Sequence, residues 1–201
     1  KGARVTAPLD DKSPSIIRDM NKCILCRRCE TMCNDIQTVG VLSGVNRGFE
    51  TEVGTFFNSK LCDTECTFCG QCISVCPTAA LTEVNNIQNV WDYLNQTEKT
   101  VVVQVAPAVR VAIGEEFGLE AGSISTGKIV AALRALGFKY VFDTNFAADL
   151  TITEEASEFL TRLTENKDLP ILTSCCPAWV NFIEKNYPKH LNLLSSCKSP
   201  Q

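Results

Sequence analysis

"CILCRRCETMC" at residues 23–33 and "CTFCGQCISVCP" at residues 66–77 decide how this chain is read. Each spaces four cysteines as C-x2-C-x2-C-x3-C, and the second closes on Pro77. The 201 residues hold 12 cysteines, of which nine lie between 23 and 76 and none between 77 and 174. A disulfide framework would spread through a small secreted chain, so two matched runs point instead to thiolates gathered around metal.

A repeat of this kind resembles the bacterial ferredoxin pattern. There the first three cysteines of a run grip one [4Fe–4S] cubane and the fourth reaches across to the other. The resemblance implies that Cys23, Cys26, Cys29 and Cys76 hold one cluster, and Cys66, Cys69, Cys72 and Cys33 the other. Structural zinc is the alternative, but zinc takes two ligands from each of two knuckles and does not require the third and fourth cysteines of a run. Cys62 is surplus to the ligand count and is expected to be a packed or half-exposed thiol. Between the runs, "VLSGVNRGFETEVGTFF" (41–57) alternates and carries three glycines, which predicts a hairpin.

Bulk properties exclude several classes. Hydrophobic residues make up 45% and charged residues 21%, which is ordinary globular composition. A formal net charge of −4, with no basic block longer than Arg27-Arg28, gives no electrostatic footprint for nucleic acid. No apolar stretch nears the ~20 residues of a membrane span, and "KGARVTAPLDDKSPS" lacks the apolar core of a signal peptide. The expected setting is soluble and cytoplasmic. The absence of an initial Met and the ending at "KSPQ" give the expectation of a piece of something larger.

Residues 1–20 read as an extended lead-in, interrupted by Pro8 and Pro14, and 21–85 as the cysteine-rich domain. From 86 onward strand-like and helix-like stretches alternate. "NNIQNVWDYLNQ" places Ile87, Val90, Trp91 and Leu94 at helical spacing, and "TVVVQVA" (100–106) is a buried-type strand. Next come "STGKIVAALRALGF" as a helix, "KYVFDT" as a strand, "ITEEASEFLTRLTENK" as a helix, "PILTS" as a strand, "PAWVNFIEKNY" as a helix opening on Pro177, and "LNLLSS" as a strand. The fold class expected is an α+β ferredoxin-like two-[4Fe–4S] domain followed, over 86–201, by an incomplete α/β domain with a parallel sheet flanked by helices. In such sheets the ligand site lies beyond the carboxyl ends of the strands, where "APAVR", "FDTN", "TSCC" and "SSCKSP" all fall.

"TSCCPAW" (173–179) raises its own question, because adjacent cysteines rarely pair with each other and do not easily share one metal. Together with "SSCKSPQ" (195–201), "APAVRVAIGEEF" (106–117), "STGKIVAALRALGF" (125–138) and "FDTNFAADLTITEEASEF" (142–159), it resembles the N-terminal half of the catalytic domain of [FeFe]-hydrogenases, preceded by their two-cluster accessory domain. That resemblance implies an H-cluster, a [4Fe–4S] cubane joined through a cysteine sulfur to a two-iron unit carrying CO, cyanide and a bridging dithiolate amine. It makes Cys176 a cubane ligand and Cys175 the thiol that delivers protons to the bridging amine.

Glu155, Glu158 and Arg162 stand at i, i+3 and i+7, one helical stripe about 60° wide bordered by Phe159 and Leu163. Partial burial there would raise the carboxyl pKa values toward a working range. The family's proton route matches Cys175, Glu155, Ser195, Glu158 and Arg162, in that order toward solvent. The resemblance also puts Ala106, Pro107, Ala108, Thr144, Pro200 and Gln201 around the two-iron unit. Cys197 is expected to be a small buried thiol, His190 a surface residue, and Trp91 and Trp179 core anchors.

The family's domain continues past "KSPQ" with a further cysteine in an M-P-C motif, a nearby lysine and a final cysteine pair, none of which occurs in these 201 residues. The function implied is interconversion of H2 with protons and electrons, relayed to ferredoxin or to flavin- and NAD(P)-binding partner subunits in an anaerobic or shielded setting. The alternative is a hydrogenase-like electron relay or H2 sensor without rapid turnover.

Overall fold

A computed structural model describes residues 6–201, so the first five residues of the lead-in lie outside the described part. The chain divides into two compact units. One runs to Asn85 and takes in Ala178–Pro188; the other holds Asn86–Pro177 and Lys189–Gln201.

In the first unit, β1 (Ile16–Arg18) pairs antiparallel with β4 (Leu81–Glu83), setting Ile16 opposite Glu83 and Arg18 opposite Leu81. A hairpin of β2 (Ser43–Val45) and β3 (Glu52–Gly54) answers the expectation for 41–57. Both cysteine runs then follow one backbone plan, a left-handed turn feeding a short helix. Leu25 and Arg27 flank Cys26 at φ of 59°, and Phe68 and Gly70 flank Cys69 at 58° and 74°. The helices are α1 (Arg28–Thr31), continued by a π turn over Met32–Ile36, and α2 (Gln71–Ser74). Holding Leu and Phe left-handed costs about 1–2 kcal/mol each, and such strain persists only where the surroundings over-determine it. Gly70 adopts this conformation without that penalty.

Seven buried apolar residues form the core, with Ile16, Leu42, Val53 and Leu61 among its least exposed members. Cys29 belongs to it, and Cys23, Cys33, Cys66, Cys72 and Cys76 pack against it. Beyond residue 177, this unit also includes most of α7 (Pro177–Asn186), which buries Ile183. There Lys185 Nζ donates to the carbonyls of Thr64 and Cys66 at 2.9 and 3.0 Å.

The second unit contains α3 (Ile87–Leu94) and a parallel pair, β5 (Val102–Val105) with β6 (Tyr140–Asp143), in the register Val102 to Tyr140 and Val105 to Asp143. Their crossover carries α4 (Val109–Glu116) and α5 (Thr126–Ala135). α6 (Thr144–Glu165) leaves β6 directly, earlier than the sequence predicted, because Asp143 Oδ1 accepts the Asn145 amide at 2.9 Å and caps the helix at the strand's end. The strands expected at "PILTS" and "LNLLSS" shrink to one parallel bridge, Leu172 to Leu194. Pro188 opens a 3-10 segment over Pro188–Leu193, where its missing amide donor goes unneeded. Trp91 and Trp179 are 42% and 38% exposed, so neither anchors a core within these residues.

Replacing Ile16, which is 1% exposed, by Ala is expected to cost about 2–5 kcal/mol of stability in chemical denaturation. Phe49→Ser, at a site 91% exposed, should stay within about 0.5 kcal/mol.

Candidate functional site

The left-handed turns aim amides at sulfur. Leu25 N donates to Cys23 Sγ at 3.4 Å, and Phe68 N donates to Cys66 Sγ at 3.5 Å, the same contact in each run. Past the turns, the short helices carry the fourth cysteine of each run away from its own first three. The result is two cavities, one lined by Cys23, Cys26, Cys29 and Cys76 and the other by Cys33, Cys66, Cys69 and Cys72.

Electrostatics follows this grouping. Burial pushes the Cys29 thiol up to about 11, with repulsion from Cys23, Cys76 and Cys26 adding to it. Burial likewise takes Cys72 up to about 12, aided by Cys66, Cys69 and Cys33. Cys66 is also raised, first by burial, against the opposing effects of the Phe68 amide and Lys185. Cys76 moves the other way. Burial would raise it, but the amides of Thr78, Leu81 and Ala80 together outweigh that and favour the thiolate.

Four mutually repelling sulfurs around one void form a donor set that a positively charged iron core would satisfy. Among the described residues, no three His, Cys, Asp or Glu side chains converge as ligands of a single ion would. The sulfurs ring a space instead. Donor set, amide-to-sulfur contacts and paired cavities all fit a [4Fe–4S] cubane in each.

In the second unit, the bridge at Leu172 leads straight into Thr173-Ser174-Cys175-Cys176. Ser174 is buried and its hydroxyl donates to the Cys197 carbonyl. Cys175 and Cys176 are exposed, directly before Pro177 at the start of α7. Cys197 is half-buried, His190 and Cys62 are exposed, and Cys62 Sγ lies 3.5 Å from Asp63 Oδ1.

Glu158 is the hub of a polar line. Its Oε2 accepts the Ser195 hydroxyl at 3.0 Å, and the Ser196 amide and hydroxyl each at 3.0 Å. Its Oε1 accepts Arg162 Nη2 at 2.6 Å. Arg162 is itself fastened to the carbonyls of Asp168, Asn192, Leu193 and Leu194 at 2.7–3.2 Å. Burial would raise the Glu158 pKa, but the Ser196 amide, Arg162 and the two hydroxyls together hold it below the ordinary glutamate range. This corrects the expectation of a raised carboxyl for Glu158, since four donors outweigh partial burial.

Glu155 lies one turn earlier on α6. Among the described residues its Oε1 is buried without a hydrogen-bond partner, and it shares no hydrogen bond with Cys175. Ser195, Glu158 and Arg162 are therefore in contact, while Cys175 and Glu155 are not joined to them.

Of the expected pocket residues, Ala106 and Pro107 line a cavity at the carboxyl end of β5 with Arg110, Thr126 and Asp143. Thr144 is buried, and its hydroxyl donates to the Val105 carbonyl at 2.7 Å. The Pro200 carbonyl accepts Gln104 Nε2 at 2.8 Å. Ala108 sits exposed at the start of α4, and Gln201 is exposed with its amide 3.4 Å from Ser199 Oγ. Ser196, Ser174 and Gln104 were not singled out from the sequence. The signals available were the doubled serine, the serine inside "TSCC", and one amide within an otherwise apolar strand.

Residues 99–201 match the C-terminal domain of the iron-only hydrogenase large subunit, and residues 13–82 match the ferredoxin-like domain of NADH-quinone oxidoreductase subunit 3. The chain is 59% identical over 197 residues to the NADP-reducing hydrogenase subunit HndD of Solidesulfovibrio fructosivorans, covering 95% of this chain and 34% of that protein. It is 45% identical over 196 residues to iron hydrogenase 1 of Clostridium pasteurianum, covering 98% and 34%. A solved structure, a variant of apo [FeFe]-hydrogenase HydA1 from Chlamydomonas reinhardtii, superposes with a TM-score of 0.53 at 48% identity, over 58% of this chain and 31% of that one. The chain thus spans about a third of the length of these relatives.

Glu158→Gln should lower stability by about 2 kcal/mol at neutral pH, as the charged acceptor of several donors is lost. Because the folded-state pKa is depressed, this contribution is complete above the ordinary glutamate range and vanishes as pH falls through the folded value. Urea titrations of wild type and variant should therefore converge in acid.

Proposed function

Since the chain belongs to the family of the iron-only hydrogenase large subunit, we propose that it forms the electron-relay unit and the first part of the catalytic unit of an [FeFe]-hydrogenase. The reaction is H2 ⇌ 2 H+ + 2 e−. [4Fe–4S] clusters and an H-cluster are the cofactors of this family and its ferredoxin-like domain. The H-cluster, when bound, supplies the binding and heterolytic cleavage of H2.

The remaining chemistry falls to the chain's own side chains. Cys176 would hold the H-cluster cubane as a thiolate, and Cys23, Cys26, Cys29, Cys76, Cys66, Cys69, Cys72 and Cys33 would hold the two relay cubanes. The Cys175 thiol takes or returns the proton. Glu155 is suited to receive it next, because its buried Oε1 is an acceptor without a donor. Ser195 Oγ, donating to Glu158, carries the proton onward to a carboxylate that is ionised at neutral pH. Arg162, fixed by backbone carbonyls, keeps Glu158 in place and balances its charge. Ala106, Pro107, Ala108, Thr144, Pro200 and Gln201 would wall the two-iron unit.

The observation that carries this reading is the hydrogen-bonded line from Ser195 through Glu158 to Arg162, next along α6 from Glu155, whose Oε1 is buried without a partner among the described residues. A pure electron relay needs no such line. The HndD relative and the match to a ferredoxin-like domain of NADH-quinone oxidoreductase support a multi-subunit setting, with electrons passing to flavin- and NAD(P)-binding partners or to ferredoxin. No helix among the described residues is long and apolar enough to cross a membrane, and we place the protein in the cytoplasm by likeness to the NADP-reducing relative.

The test uses the full-length protein prepared without oxygen, measuring iron and sulfide, infrared bands of CO and cyanide, and H2 oxidation with a dye acceptor. Wild type should show those bands, iron beyond that of the two relay cubanes, and turnover. Cys175→Ala should keep iron and bands while turnover falls about 10²–10⁴-fold. Relay cubanes without the bands or turnover would turn the reading toward a non-catalytic relay or sensor.

A further inference from the structure

Arg18 ends β1 and is only 8% exposed. Its Nη2 reaches Asp10 Oδ2 at 3.5 Å and the Ser59 carbonyl at 3.4 Å. Its Nε and Nη1 are buried and have no hydrogen-bond partner among the described residues. A buried guanidinium with two idle donors is an expensive arrangement unless an acceptor stands beside it. Arg18 lines the same cavity as Cys23, Cys26, Cys29 and Cys76.

The two cysteine cavities differ here. Around the one ringed by Cys33, Cys66, Cys69 and Cys72, the other lining side chains are apolar or neutral, among them Ile16, Gln37, Val41 and Thr67. Around the first, Arg27 is the other charged lining residue, but it is exposed and its guanidinium is tied to Glu30 at 2.6 and 2.7 Å. Arg18 is therefore the buried cation of that cavity. Asp10, the carboxylate paired with it, spends Oδ2 partly on the Leu61 amide at 3.0 Å, keeps Oδ1 buried without a partner among the described residues, and stands at a long distance from Arg18.

We infer that Arg18 is a potential-setting residue: its Nε and Nη1 donate to sulfur of the cluster held by Cys23, Cys26, Cys29 and Cys76, and its charge raises that cluster's reduction potential. The inference rests on the proposed ligand assignment. Cubane sulfur is an acceptor, the reduced cluster is the more negative state, and hydrogen bonds and net charge near the sulfurs are the levers that move such potentials. Arg18 is thus a positioning and tuning group. It biases where an electron rests within the relay.

The test is an EPR-monitored redox titration of the full-length, cluster-loaded protein. Cys26→Ser, altering a ligand of one cavity only, identifies the signal to follow. Arg18→Gln is expected to raise the oxidised-to-reduced ratio of that cluster at least tenfold at a fixed potential, a downward shift of about 59 mV for one electron. The other cluster should stay unmoved, and Arg18→Lys should fall between wild type and Gln. Asp10→Asn, which removes the opposing charge, should move the same cluster upward.

Opposite signs for the two variants support the inference, because simple loosening of β1 would shift both in one direction. Clusters retained with unshifted potentials, or shifts of equal sign, overturn it. If Arg18→Gln fails to retain its cluster, Asp10→Asn decides alone: an upward shift supports tuning and any other result overturns it. Iron and EPR measurements on the wild type separate the two layers. Absence of cubane signals there defeats the ligand assignment and this inference together, whereas normal signals with no response to Arg18 defeat only the inference.

Discussion

The exchange of one cysteine between the two runs is the constraint on which the first unit depends. Cys33 leaves the first run to join Cys66, Cys69 and Cys72, and Cys76 returns to Cys23, Cys26 and Cys29. Each cavity is thus closed by both halves of the repeat. With a core cluster of seven buried apolar residues among those described, this unit has little hydrophobic burial to offset the entropy of folding, and small domains in that position rely on staples. The cysteines meet that need once they bind metal as thiolates, whose mutual repulsion the metal then offsets. Metal loading and folding are therefore expected to be linked in this unit, as in other small metal-bound domains.

The second unit is organised by an arginine. Arg162 gathers the carbonyls of residues 168, 192, 193 and 194 and presents Glu158 to Ser195 and Ser196. Side chain and main chain are satisfied together, so Arg162 is held at five points rather than by one ion pair. The Leu172 to Leu194 bridge and the Ser174 contact to the Cys197 carbonyl then tie the "TSCC" segment to the same stretch.

Much of this was legible in the sequence, for definable reasons. Cysteine spacing is a covalent ruler, so the two runs stand out without any knowledge of packing, and the resemblance to ferredoxins supplied their crossing. The hairpin at 41–57, the parallel pair and the position of Glu158 and Arg162 on one helix follow from periodicity. Some misses came from local backbone chemistry and others from contacts distant in sequence. Asp143 capping α6 turned a predicted loop into helix, and Pro188 steered a predicted strand into a 3-10 segment. Trp91 and Trp179 read as core because they are large and apolar, yet among the described residues they stay 42% and 38% exposed. The depressed Glu158 carboxyl could not be foreseen, since it depends on Ser196 and Ser195, 38 and 37 positions away.

Lys185 carries a consequence for how such a protein is inherited. It lies on α7, beyond the second-unit residues 86–177, yet its ammonium holds the carbonyls of Thr64 and Cys66 in the first unit. The first unit is therefore discontinuous in sequence, and no single cut between residues 85 and 86 would release it whole. A recombination event that moved the leading segment elsewhere would leave behind the helix that braces one of its cysteine turns. The two units are in this respect a single heritable block, kept together by the threading of the chain.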